Sequence, residues 1–180
     1  RMDTLPLAYI LQYGLVFSLG FALLVLGGLY LNPRLMLASY PAKVRAQQPP
    51  LTPAEKRQQI VLGILVWGYA LGGLFYFAAE LAAQLAARTG QAAFLPLFLG
   101  TYLVFEIVNL FDLLVIDYWL LLLLKPKPLF IPGTLVLAQE QGFAFHLKGF
   151  LKGSALGAVM SAAIVLVWLL VEQAAKLLMG

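Results

Sequence analysis

Four long apolar runs dictate what this chain can become. They cover about 7–31, 60–87, 93–124 and 151–179, each bounded by charge, Pro or Gly, and each reaches the ~20 residues that cross the hydrocarbon layer of a bilayer. With 62% of its 180 residues hydrophobic and 11% charged, the chain cannot hide its apolar surface in one aqueous core. The expected fold is an all-α membrane protein: a four-transmembrane-helix bundle in a single domain over 1–180, with helices about 7–31, 53–87, 93–124 and 149–179. The first run is too long for a signal-peptide core and lacks a basic start and a small-residue cleavage pattern, so it is expected to stay in the mature protein.

The basic residues set an expected orientation, because Lys and Arg near helix ends stay on the cytoplasmic side. Arg34, Lys43, Arg45, Lys56 and Arg57 fall between the first two helices, and Lys125, Lys127, Lys148 and Lys152 lie between or flank the last two. Only Arg1, Arg88 and Lys176 fall on the other side. Both termini are therefore expected outside and the two long connections in the cytoplasm. The formal net charge of +4 is then a topology signal, with no basic stripe for a nucleic acid to lie on. The absence of cysteine excludes disulfides, thiolate zinc sites and iron–sulfur clusters.

Local signals mark the helix ends. Thr52-Pro53-Ala54-Glu55 combines an N-cap hydroxyl, Pro at the first helical position and a capping-box Glu. Lys125-Pro126-Lys127-Pro128 should stop the third helix. The connection from Phe130 to His146 is more apolar than a solvated loop requires, and 134–138 and 143–147 read as two short extended pieces around it. An ordered cap against the cytoplasmic mouth of the bundle is expected, interfacial or covered by protein.

Within the third run stand four residues that lipid should reject, Glu106, Asn109, Asp112 and Asp117. A carboxylate at membrane depth costs roughly 2.5–3.5 kcal/mol on the mildest scale, so each calls for a partner, a protonated form or a wet cavity. On an α-helix Asn109 lies roughly 60° from Glu106, Asp112 roughly 120° away on the same side and Asp117 roughly 20° off on the other. That arc is expected to turn inward. Arg34, Lys148 and Lys152 are the bases within reach of the lower two acids, and a structural lock is the leading reading, ahead of proton or ion handling and of catalysis. His146, the one histidine, is expected to bond a backbone carbonyl or to pair with Asp117.

No metal site and no catalytic residue is assigned. Asn109-x-x-Asp112 with Asp117 has a faint likeness to the Asp-rich clusters that hold Mg²⁺ against a pyrophosphate, but a second Asp-rich segment is missing. The chain has no H-E-x-x-H, G-x-S-x-G or P-loop lysine motif. Glu80 and Glu172 sit near the outer helix ends and are expected to stay at the interface. The many aromatics are expected to pack and face lipid rather than to form a quinone pocket, and the residues name no particular cofactor. Gly149, Gly153, Gly157 and Ser161 recur every four positions, with Gly68 and Gly72 as a shorter example. Such ridges let backbones approach, inside a bundle or between copies, and packing within the chain is the expected use. The two helical pairs carry no internal repeat, so an inverted-repeat transporter is not supported.

Asn32-Pro33, Tyr40-Pro41, the segment from Phe111-Asp112 to Asp117-Tyr118-Trp119, Pro132-Gly133-Thr134 and the segment from Phe145-His146 to Lys152-Gly153 resemble a family of small bacterial four-helix membrane proteins without an assigned activity. The likeness runs from 32 to 153. It implies a bundle in the bacterial inner membrane whose cytoplasmic face carries the distinctive residues, and it imports no substrate. Three function classes follow: a non-enzymatic module that scaffolds or regulates another membrane protein or a second copy of itself, a proton or ion conduit using Glu106, Asp112 and Asp117, and an enzyme acting on a lipid or isoprenoid with His146, Asp117 and Lys148. The first is preferred. The charge asymmetry is checked by labelling: single cysteines at positions 45 and 139 should react from the cytoplasm and one at position 90 from outside. Labelling of the two long connections on opposite sides would sink the four-span topology.

Overall fold

A computed structural model of the chain describes residues 5–140 and 142–179, and the regular structure among them is helical throughout. The long helices are α1 (Leu7–Leu31), α3 (Pro53–Thr89), α4 (Phe94–Phe111), which passes without a break into a π-helical segment (Asp112–Leu124), and α6 (Gly142–Met179). Four helices, counting α4 and its π continuation as one, are long and apolar enough to cross a membrane. Arg1, counted above to the outer side, lies outside the described residues.

The capping signals act as the sequence predicts. Thr52 Oγ1 accepts from Glu55 N–H at 3.2 Å while Glu55 Oε2 accepts from Thr52 N–H at 2.8 Å, closing the box that starts α3. That helix ends at Gly90, whose φ of 82° is the left-handed conformation a glycine adopts without steric cost. With 37 and 38 residues, α3 and α6 run about 56 and 57 Å at 1.5 Å per residue, well beyond a hydrocarbon layer of about 30 Å.

The connections correct two expectations. Residues 134–138 and 143–147 are not extended: Leu135–Gln139 forms the short helix α5, and α6 begins at Gly142, seven residues before the expected start. A helix satisfies its backbone groups within itself, which an unpaired strand on an apolar surface cannot do; Ala138 N–H bonds Thr134 O at 2.8 Å. The first connection likewise folds into a 3-10 segment (Pro33–Ser39) and the short helix α2 (Ala42–Ala46), and a second 3-10 turn (Lys127–Leu129) follows Pro126. Leu129 and Phe130 are buried with Leu29 against Val25, Met36, Leu120 and Leu135, which seats these turns on the bundle end.

The α4 helix packs against α1, α3 and α6. A core of Ile10, Phe17, Leu74, Phe77, Leu81, Leu97, Val104 and Val165 fills the half of the bundle away from the connections. Tyr13 and Tyr69 each send a hydroxyl to a neighbouring helix, bonding Gly73 O at 2.8 Å and Phe17 O at 3.0 Å.

The α4–α6 contact is the most extensive, and two glycines permit close approach along it. A Cβ at Gly157 would collide with the Phe105 ring, and one at Gly153 would stand 2.6 Å from Asn109 Oδ1. The same antiparallel step of four runs on to Ser161 and Thr101, both fully buried. Gly149, Gly68 and Gly72 do not share this role, because a Cβ at any of them meets nothing within 4 Å. Gly157→Leu should therefore lower the melting temperature in detergent, with a loss of about 1–3 kcal/mol for overpacking, whereas Gly149→Ala should be neutral or slightly stabilising. Equal effects at the two positions would refute this division of the ridge.

Candidate functional site

The π-helical segment rearranges the acidic face. Its i→i+5 bonding, closed by Lys125 N–H to Leu120 O at 2.9 Å, widens each turn relative to an α-helix. Asp112 with Leu113, Ile116 with Asp117, and Leu121 with Leu122 consequently line one cavity, as pairs separated by four or five residues where an α-helical face repeats every three or four. Asp112 and Asp117, splayed widely on an ideal α-helix, now face the same space. Nothing in the residue pattern announced this winding, since 113–124 is an unbroken apolar run apart from Asp117 and the aromatic pair Tyr118-Trp119.

The cavity has a volume of about 680 Å³. It is enclosed by α1 through Val25 and Leu29, by the first connection through Met36, Tyr40 and Arg45, by the π segment, by Phe130 and Ala138 of the second connection, and by α6 from Phe145 to Lys152. Leu29, Leu113, Ile116, Leu129 and Phe130 make buried apolar wall. Tyr40 Oη donates to Leu129 O at 3.2 Å and joins the two connections beside it. Burial raises the Tyr40 phenol above its ordinary pKa, which keeps it a donor.

Charged groups are concentrated on the same lining. His146 Nδ1 lies 2.9 Å from Asp117 Oδ2, both side chains largely covered; the carboxylate orients the ring, so Nε2 is the imidazole nitrogen left for another group. Asp112 lies within electrostatic reach of both yet forms no hydrogen bond or ion pair among the described residues. Arg45, Lys148 and Lys152 also line the cavity from exposed positions, and they too are unpaired among the described residues. No group of three or more His, Cys, Asp or Glu among the described residues is arranged to hold a metal ion.

Glu106 and Asn109 form a separate cluster at the α4–α6 contact. Ser154 Oγ donates to Glu106 Oε2 at 2.9 Å and accepts from Asn109 Nδ2 at 3.1 Å, and Asn109 Nδ2 also reaches Phe150 O at 3.1 Å. Ser154 was not singled out from the sequence, although it follows Gly153 directly and so lies beside the close approach. Glu106 Oε1 is buried without a partner among the described residues, as are the hydroxyls of Thr101 and Ser161. Glu106, Asp112 and Asp117 are each half-buried, and none is fully enclosed.

The expected basic lock does not close over the acids. Arg34 is drawn away to Glu55, donating to Oε1 at 2.7 Å, and it also bonds Gln48 Oε1 at 3.3 Å and the carbonyls of Pro49 and Pro50 at 3.1 and 3.3 Å. The cause is local: Asn32 Oδ1 accepts from Arg34 N–H at 3.0 Å, which turns the chain so that Arg34 faces the start of α3. Lys148 and Lys152 reach the cavity but pair with neither Asp. At the other end Glu172 pairs with Lys176 at 2.7 Å, one helical turn on, and Glu80 is exposed.

Ser154→Ala would leave Glu106 Oε2 without its donor and Asn109 with one acceptor fewer, which should cost about 1–3 kcal/mol, read as a lower melting temperature of the purified protein. Unchanged stability would mean that water already serves these groups. No family model, no curated protein and no solved structure matches the chain. The likeness to a bacterial membrane family therefore rests on the quoted segments between 32 and 153 alone.

Proposed function

We propose that this is a multi-pass membrane protein that binds a lipid-like amphiphile at the connection end of its bundle, the chains against the apolar wall and the head among Asp112, the Asp117–His146 pair, Arg45, Lys148 and Lys152. The carrying observation is the cavity itself, in which apolar walls and charged groups without partners share one lining. Its volume falls in the range that holds a drug-sized ligand, and a mostly apolar pocket with a few convergent polar groups is the usual form of such a site. The π-helical segment points the same way, because this rare winding is frequent at functional sites. Asp112, on a membrane-crossing span and without a partner among the described residues, is costly to retain, which argues for an occupant that compensates it.

In this reading the long connections lie in the cytoplasm of a bacterium, on the strength of the Lys and Arg distribution and the segment resemblance. The amphiphile then enters from the inner leaflet. His146, oriented by Asp117, is the group best suited to exchange a proton with the bound head. This moves the weight from the scaffold expected of the sequence towards the lipid-handling class. A scaffold role keeps one specific support, the open Gly68–Gly72 face of α3, which would accept a close neighbouring helix; loss of a crosslinked dimer in Gly72→Leu would speak for it.

Gly149 supplies the test of the amphiphile. It lines the cavity, and a side chain added there meets nothing within 4 Å, so Gly149→Phe should occupy the space without disturbing the helix contact. A phospholipid carrying a photoreactive chain should crosslink to 112–122 and to 25–29 in the native protein, with labelling reduced about tenfold in Gly149→Phe at unchanged melting temperature. Labels scattered evenly over all lipid-facing helices, and indifferent to Gly149→Phe, would refute the reading.

A further inference from the structure

We infer that the head group this cavity selects is zwitterionic, a phosphate joined to a primary ammonium, with the ammonium on Asp112 and the phosphate on Lys148, Lys152 and Arg45. The inference rests on the amphiphile reading above and names the ligand class for that site. Its basis is the coexistence, in one lining, of a carboxylate and three bases that form no ion pair with one another. Lys148 and Lys152 stand one helical turn apart on α6 and line the same cavity as Asp112. Asp117 is already committed to His146 at 2.9 Å, so the free acid is Asp112.

A purely anionic head would satisfy the bases and leave Asp112 facing a like charge. A purely cationic head would satisfy Asp112 and face three bases. Only a head that carries both signs neutralises both sides without moving the protein, and charge-assisted hydrogen bonds make each half of the match strong. A primary ammonium suits Asp112 better than a quaternary one, because it offers N–H donors to a carboxylate that has none among the described residues. Lysines are competent phosphate partners as mobile point charges, and Arg45 adds a planar fork.

The experiment is a titration of the purified full chain in detergent with short-chain dihexanoyl lipids, reading Kd by calorimetry. Phosphatidylethanolamine should bind at least about tenfold more tightly than phosphatidylglycerol or phosphatidylcholine, a difference of about 1.4 kcal/mol. Asp112→Asn should bring phosphatidylethanolamine down to the phosphatidylglycerol level, and the double variant Lys148→Ala, Lys152→Ala should weaken both lipids. Equal binding of phosphatidylethanolamine with either of the other lipids by the wild-type chain overturns the inference, whether or not Asp112→Asn folds. A preference that survives in folded Asp112→Asn overturns it as well. Saturable binding of phosphatidylglycerol that depends on Lys148 and Lys152 but shows no ethanolamine preference would leave the amphiphile site standing and remove only the zwitterion. Failure of all three lipids to bind would remove both.

Discussion

The close approach of α4 and α6 is the contact on which the functional end of this protein depends. Two missing side chains, at Gly153 and Gly157, admit Asn109 and Phe105 of the facing helix. Once the backbones are that near, Asn109 can reach the Phe150 carbonyl and Ser154 can bridge it to Glu106. About two turns further on, the same antiparallel alignment carries His146 to Asp117. Dispersion is short-ranged, so a displacement of even a fraction of an ångström between the helices would forfeit much of the packing. The hydrogen bonds it supports would lengthen together.

Below that contact the third span divides into two parts. The α-helical part of the third span uses its polar groups to hold the bundle: Glu106 and Asn109 are tied to α6. The π-helical part leaves its polar groups available. Asp112 has no partner among the described residues, and Asp117 spends one oxygen on a histidine that keeps a second nitrogen free. Wider winding makes this division geometrically natural, since it opens space beside the segment and turns two acids into it. Packing there is met from outside the bundle, by Leu129 and Phe130 of the connection.

The connections act as structure because a few anchors hold them. Arg34 satisfies two proline carbonyls and a glutamate that itself caps α3, so the first connection and the second span share one polar knot. Its side chains are largely covered, whereas the Lys43–Glu140 pair, which joins α2 to the residue after α5 at 2.7 Å, is solvent-exposed and worth about 0–1 kcal/mol. The cavity is thus walled by segments whose position follows from capping chemistry two helices away.

What the sequence determined by itself was whatever depends on local composition and short-range chemistry. Apolar runs of sufficient length had to become long helices, and Thr52-Pro53-Ala54-Glu55 had to mark the start of the second. The grouping of Glu106, Asn109, Asp112 and Asp117 on the third run, and the option of a His146–Asp117 pair, were also legible there, because spacing alone puts them within reach. Tertiary structure decided which partners won. Arg34 was as eligible a base for the acids as Lys148, yet the Asn32 turn delivers it to Glu55. Gly149, Gly153 and Gly157 looked alike as a ridge, and only Gly153 and Gly157, which meet α4, are filled against. The π winding, the helical character of 134–139 and the cavity arise from how several segments satisfy their backbone groups and close their packing at once, and those are sums over the whole chain that no window of residues contains.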